Sequence, residues 1–359
     1  MADHTHIEWT DATWNPITGC SVVSPGCTNC YAMRLAGTRL KHLPSRAGLT
    51  VDSKVGPVWN GQVRLNEEWL DQPLRWKRPR RIFVCAHGDL FAENVPDEWI
   101  DKVFAVMALA PQHTFQVLTK RAARMRAWFA DDAARRKGVR REYDSGLFPH
   151  GALPQWPLPN VWLGVSAEDQ IRADERVPEL LATPAAIRFV SAEPLLGPID
   201  FEALCTGWYF IDALRGQKYH DVPEPYVSAS EACAKLDWII VGGESGPGAR
   251  PMHPDWVRSI REQCAGAGTA FFFKQWGTWL DADELMRRIN AGPAYIARNG
   301  QRWQPVQPLN FEDAAFLANV LKHPIEHQSD GSTMLKLDKG RAGRLLDGVV
   351  HNAMPQVRS

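Results

Sequence analysis

VWLGVSAEDQIRADERVPELLATPAAIRFVSAEP, residues 161–194, decides the fold. An apolar run from Val161 to Val165 ends in Ser166, Glu168 and Asp169, a helical stretch over 170–182 follows, and a second run from Ile187 ends in Ser191 and Glu193. Continuous apolar runs suit strands covered on both faces, as in a parallel sheet. The same pattern recurs on either side, in RIFVCAHGD (81–89), TFQVLTK (114–120), DWIIVGGES (237–245) and TAFFFKQW (269–276). Helical stretches at 97–110, 121–130 and 254–266 separate these runs, with Asp97 and Asp255 placed to cap two of the helices. With a first strand near Ile17–Cys20, about seven strand–helix units result. The expected fold is α/β, a single β/α barrel or partial barrel of parallel strands with loop insertions.

The barrel core is expected over 1–276, with a cysteine loop at 19–31 and insertions at 131–159 and 201–236. Residues 277–359 are expected to form an extension packed on it. The composition is that of a soluble globular chain: 359 residues, 45% apolar, 41 basic and 41 acidic side chains. No apolar run approaches the ~18 residues of a membrane span, and MADHTHIEWTDATW lacks a signal-peptide pattern. A cytoplasmic protein without a membrane partner is expected.

The neutral net charge hides an imbalance. From Arg75 to Arg141 there are fifteen Lys and Arg against seven Asp and Glu, densest in RWKRPRR, KRAARMR and RRKGVRR. Such a stretch, with Trp76 interleaved, could meet a phosphate backbone, so a nucleic-acid partner or substrate through 75–141 is one expectation. A solvated face balanced by acidic neighbours is the other.

Seven cysteines in a chain with no signal pattern argue against a disulfide framework. Cys85, Cys205, Cys233 and Cys264 are scattered and read as small buried apolar residues. Cys20, Cys27 and Cys30 cluster in WNPITGCSVVSPGCTNCYA, where Gly19, Pro25 and Gly26 keep the chain in loop form. Three thiolates leading into a helix suit three irons of a [4Fe–4S] cluster with the fourth iron open. Structural zinc is the competing reading, with a fourth ligand from His42, His87 or Cys85.

Sites in parallel α/β folds lie at the C-terminal ends of the strands. Those ends carry Asp89, Lys120, Glu168, Glu193, Glu244 and Lys274, a polar set for a charged ligand. Fifteen tryptophans are present, of which Trp9, Trp14, Trp276 and Trp279 fall near the cysteine loop or a strand end. They either shield a cofactor or fill the core.

A three-cysteine loop opening a β/α barrel resembles the radical S-adenosylmethionine superfamily, although six and then two residues separate these cysteines where three and then two are usual. A closer likeness runs through WNPITGCSVVSPGCTNCYA, GDLFAENVP, LTKRAARM, WLGVSAED, RFVSAEPLLGPI, DWIIVGGESGPGARPMHPDWVRSIREQC, FFFKQWG and AGRLLDG. Together these are similar to a phage- and bacteria-associated three-cysteine-motif family of unknown function. The resemblance implies cluster ligands at Cys20, Cys27 and Cys30, S-adenosylmethionine as cofactor, and a flavodoxin- or ferredoxin-type electron donor. The superfamily's Gly-Gly-Glu segment holds the cofactor's amino group near the second strand; here Gly242-Gly243-Glu244 has the residues but follows a late strand. By position Asp89 is the better candidate, with Lys120, Glu168 and Glu193 completing the cofactor set and Lys274 facing substrate. The alternative function is a nucleic-acid-binding protein with a structural zinc or iron–sulfur site and no radical chemistry. A metal-dependent hydrolase would need several histidines at strand ends, where only His87 qualifies.

Overall fold

The computed structural model describes residues 5–144, 155–220, 231–291, 324–328, 330, 332–337 and 339–356. Parts of all three stretches that interrupt the strand–helix pattern, 145–154, 221–230 and 292–323, lie outside the described residues.

Seven strands form the central sheet: β1 (Ala12–Trp14), β2 (Arg81–Val84), β3 (Thr114–Thr119), β4 (Val161–Ser166), β5 (Ile187–Ala192), β6 (Trp238–Gly242) and β7 (Ala270–Gln275). All neighbours are parallel, and the order across the sheet is the order along the chain. Each crossover therefore adds its strand on the same side, as in a barrel and unlike a doubly wound sheet, where the order reverses. Among the described residues β1 and β7 do not pair, so the sheet is an open, curled half-barrel. The free edge of β7 is covered by the C-terminal segment: Phe273 N–H donates to His351 O (3.0 Å) and Ala353 N–H to Phe271 O (3.2 Å). Covering an edge in this way removes an open pairing surface.

The first strand lies a few residues before its expected place. Asn15-Pro16 ends β1, and Ile17–Thr18 turns away to pair antiparallel with Arg64–Leu65. The helix starts also differ. Pro96 takes the N-cap position of the helix Asp97–Leu109 and offers no side-chain cap, and Asp97 lies inside the first turn. The helix Pro254–Ala267 is capped by His253, whose Nδ1 accepts the Asp255 N–H at 3.1 Å. Asp169 does cap Gln170–Leu181, its Oδ1 accepting from Arg172 N–H at 3.0 Å.

Period-two alternation divides each strand between two cores. Val161, Leu163 and Val165 of β4 face the helices, as do Ile239 and Val241 of β6. Trp162, Phe189, Trp238 and Phe272 point the other way and join Trp9 and Phe83 in an aromatic plug within the curl. Phe189 lies so close over Gly164 that a Cβ there would stand 2.4 Å from its ring. Continuing the same inward rows toward the C-terminal ends reaches Ser166 and Glu168, Ser191 and Glu193, Gly242 and Lys274. One end of the curl is thus apolar and closed, and the other is polar.

The stretch expected to loop over 131–159 begins with a helix, Asp132–Asp144, packed on Asp97–Leu109 with Gly138 against the Asp101 carboxylate. Leu204–Cys205, Phe210–Asp212, Gln217–Tyr219 and Glu231–Ala232 make a small antiparallel sheet. Trp279–Asp281, Thr333–Lys336 and Ile325–His327 make another. Among the described residues no helix is long and apolar enough to cross a membrane.

Candidate metal centre at the strand ends

The cysteine loop leaves β1 and crosses the polar end of the sheet. Gly19 begins it at φ +97°, a conformation L side chains rarely adopt, and a Cβ there would stand 2.1 Å from Gln62 O. Its N–H donates to His87 O at 3.2 Å, tying the loop to the end of β2. A short turn, Pro25–Cys27, and the helix Tyr31–Gly37 complete the segment. Cys20 and Cys30 pack against Met33, Ala36, Leu49 and Trp59.

Three carboxylate–cation units meet the loop, one at the Cys20 sulfur and two through loop residues next to Cys27 and Cys30. At Cys20 the guanidinium of Arg121 donates to the sulfur (3.3 Å), to Asp89 Oδ2 (3.3 Å), to Ser21 O (2.9 Å) and to Glu93 Oε1 (3.0 Å). Asp89 also accepts from the Thr119 hydroxyl (2.7 Å) and from the N–H of Phe91 and Lys120. At Cys27 the carboxylate is Glu168, whose side chain is 0% exposed. Lys120 Nζ and Arg176 Nη1 each donate to it at 2.8 Å, and from the loop the Ser24 hydroxyl and the Gly26 N–H (3.2 Å) do the same. Ser24 Oγ stands 3.8 Å from the Cys27 sulfur. Beside Cys30, Asn29 Nδ2 donates to Glu244 Oε2 (3.0 Å) and Gly248 O (2.8 Å), while Arg250 holds both Glu244 oxygens and donates to Pro25 O. Strand ends far apart in sequence thus clasp the loop at three points.

The charges follow from these contacts. Burial alone would raise the Glu168 carboxyl, but Lys120 and Arg176 overcome it and bring its pKa down to about 2. Glu244 is likewise lowered: burial acts upward and Arg250 more strongly downward. The thiols go the other way. Burial pushes Cys20 up to about 12, with Asp89 adding to the rise and Arg121 opposing it. Burial also raises Cys30, against the Met33 and Ala32 backbone amides and the Trp59 indole. The carboxylates are thus held charged by their cations, while burial favours the protonated thiols of Cys20 and Cys30.

The three cysteine sulfurs do not form a ready single-ion site. Three thiolates on a single zinc at ~2.3 Å would stand about 4 Å apart. Among the described residues the three-donor group within 4.8 Å of one another is His253, Asp255 and Asp330, not the cysteines. A cluster gives each thiolate its own iron and asks for wider spacing. In the metal-free chain the His253 group is joined by its own contacts. Nδ1 accepts the Asp255 N–H, so in the neutral ring Nε2 carries the proton, directed to Asp330 Oδ2 at 2.7 Å. Of the fourth-ligand candidates at a strand end, Cys85 is buried, its thiol pushed up to about 12 by burial as that of Cys20 is, and no described contact joins His87 to a cysteine sulfur. The His87 ring stands edge-on to Tyr31 at 5.9 Å, and burial, with Arg46, lowers its pKa to about 4.

Glu193 and Lys274 form a separate half-sheltered pair, Nζ to Oε1 3.1 Å, with the Ser191 hydroxyl donating to Oε2 at 3.1 Å. The glycine pair serves close approach within the chain: a Cβ on Gly242 would stand 2.4 Å from Glu193 Oε1, and one on Gly243 1.9 Å from Trp276 O. Asp89, Lys120, Glu168 and Glu244, singled out from sequence, are thus brought to the cysteine loop, each already engaged by protein groups. Arg121, Arg176, Ser24, Asn29 and Arg250 complete the clasps and were not singled out. Arg121 sits within LTKRAARM beside Lys120, and Arg250 follows the Gly-Gly-Glu segment; Arg176 lies mid-helix, where nothing in the pattern marks it.

Trp9, Trp14, Trp276 and Trp279 are core residues, and the last three each donate an indole N–H to a backbone carbonyl. The tryptophan against the cysteines is Trp59. Cys85 and Cys264 are buried as expected, but Cys205 is exposed and Cys233 half-buried. Among the described residues, nine basic side chains between Arg75 and Arg141 sit in ion pairs with acidic partners.

A family model described as "Protein of unknown function (DUF5131)" matches residues 4–355. No curated protein and no solved structure matches the chain.

Proposed function

Since the chain belongs to DUF5131, a family of unknown function, its chemistry rests on its own residues, and we propose that it is an iron–sulfur enzyme of radical S-adenosylmethionine type. The kinship with that superfamily, and the phage setting of its relatives, are part of this reading. The observation that carries it is the clasping of one three-cysteine loop onto three strand ends by buried carboxylate–cation units. Such a scaffold holds three ligands in place from three directions and leaves a fourth metal position without a protein ligand.

When bound, a [4Fe–4S] cluster with one open iron supplies the electron that cleaves the sulfonium of S-adenosylmethionine. The chain's own residues orient and shield. Glu168 and Glu244 have both oxygens engaged and hold the loop, so their part is positioning. Lys274 and Glu193 have the freer arrangement. A substrate or cofactor carboxylate that takes Lys274 Nζ releases Glu193 Oε1 to accept from an ammonium or hydroxyl. The apolar plug beneath closes the curl to water from below. Val22 and Val23, exposed on the loop between Cys20 and Cys27, offer a small electron-transfer protein of flavodoxin or ferredoxin type a contact beside the centre.

The test is anaerobic purification with iron, sulfide and zinc analysis of the wild type and of the triple variant Cys20→Ala, Cys27→Ala, Cys30→Ala. About four irons and four sulfides per chain, absent from the variant, are expected. Stoichiometric zinc without iron, persisting through anaerobic reconstitution, would sink the proposal.

A further inference from the structure

We propose that Arg121 is a positioning residue that holds the Cys20 sulfur in its ligating place and makes the centre easier to reduce; this rests on the iron–sulfur reading. The Arg121 side chain is 6% exposed. Among the described hydrogen bonds, Arg121 is the charged donor to a cysteine sulfur, at 3.3 Å. The polar neighbour of the Cys27 sulfur is the neutral Ser24 hydroxyl. One side of the loop therefore carries a fixed positive charge against its sulfur.

Arg121 is the cation paired with Asp89, and the same nitrogen also reaches the sulfur. Asp89 also accepts from the Thr119 hydroxyl and the backbone N–H groups of Phe91 and Lys120 at 2.7–3.1 Å, and Arg121 Nη1 stands no closer to it than to the sulfur, 3.3 Å in each case. The rest of the fork is fixed by Ser21 O, next to Cys20, and by Glu93. The planar guanidinium thus reads the sulfur, the adjoining backbone and two carboxylates at once, which a lysine cannot do. Hydrogen bonds and positive charge at a ligand sulfur stabilise the added electron of a reduced cluster. Glu93, with its side chain 54% exposed, is the wet end of the arrangement and offsets part of the charge.

Arg121→Gln, Arg121→Lys and Glu93→Gln, reconstituted anaerobically as full-length protein, are compared with wild type by iron content and by the midpoint potential from EPR-monitored titration. Arg121→Gln should disfavour reduction about tenfold, a shift of about −59 mV for one electron. Arg121→Lys should shift less in the same direction, and Glu93→Gln should shift upward. If Arg121→Gln loses the cluster, the other two variants carry the test. A wild-type potential in Arg121→Lys and Glu93→Gln, or in Arg121→Gln with full iron, overturns the role of Arg121 while the iron–sulfur reading stands. A wild type that takes up no iron overturns both.

Discussion

Replacing Glu168 by glutamine removes the anion between one buried and one partly buried cation. Lys120 and Arg176 approach it at 2.8 Å each, and their side chains are 17% and 3% exposed. A carboxyl brought from 4.5 to about 2 contributes about 3 kcal/mol at neutral pH. Stranding one partner of a buried pair costs about 3–5 kcal/mol. The two routes agree on roughly 3 kcal/mol. Because the folded-state pKa is lowered, this contribution is fully present above 4.5 and is lost as pH falls toward 2. Urea unfolding of wild type and Glu168→Gln across that range should give a gap of about 3 kcal/mol at neutral pH that closes in acid. Because Ser24 and Gly26 hang from the same carboxylate, the variant should also bind less iron. Equal stability at neutral pH, or a gap that ignores pH, would refute the reasoning.

Other consequences follow from the same contacts. A Cβ at Gly26 would stand 2.4 Å from Glu168 Oε1, so Gly26→Ala should cost about 1–3 kcal/mol and lower iron uptake while circular dichroism stays native. With its pKa near 12, the Cys20 thiol of metal-free protein should resist iodoacetamide at about pH 8, and iron loading should improve as pH rises; peptide mass spectrometry checks the first, and rapid labelling contradicts it. Asp281, raised by burial to about 6 despite Arg258, should destabilise the protein by about 3 kcal/mol as pH climbs from 3.8 through 6. Its stabilising contribution is whole only below 3.8, so Asp281→Asn should flatten that part of the stability–pH curve. Trp238→Ala removes a central member of the aromatic plug and should cost about 3–5 kcal/mol in denaturant unfolding.

Much of the fold was legible because the parallel strands are short, buried on both faces and almost uninterrupted. VWLGV and WIIVG permit little else, and their polar ends point to the side of the sheet where the loop lies. The first strand was misplaced because Ala12–Trp14 is only three residues long and the more apolar Ile17-Thr18 follows Pro16, whose effect is to send the chain elsewhere. The caps at Asp97 and Asp255 were misassigned for a similar local reason: Pro96 and Pro254 shift the start of the helix, and a histidine lone pair does the work expected of a carboxylate. In the candidate site, cysteine spacing and strand-end position marked the loop and its carboxylates. Their partners were hidden, since Arg121, Arg176 and Arg250 look like any other arginines until the curl of the sheet brings them to buried acids. The acids that pair with the basic stretch were equally hidden, being scattered from Asp11 to Glu179.

The most direct measurement is reductive cleavage of S-adenosylmethionine. Anaerobically reconstituted wild type and the triple cysteine variant would be incubated with dithionite and S-adenosylmethionine, and 5′-deoxyadenosine followed by liquid chromatography and mass spectrometry. Steady formation by the wild type, absent from the variant, is the predicted result. A wild type that holds its full cluster yet forms no more 5′-deoxyadenosine than the variant would contradict the assignment of radical chemistry to this loop.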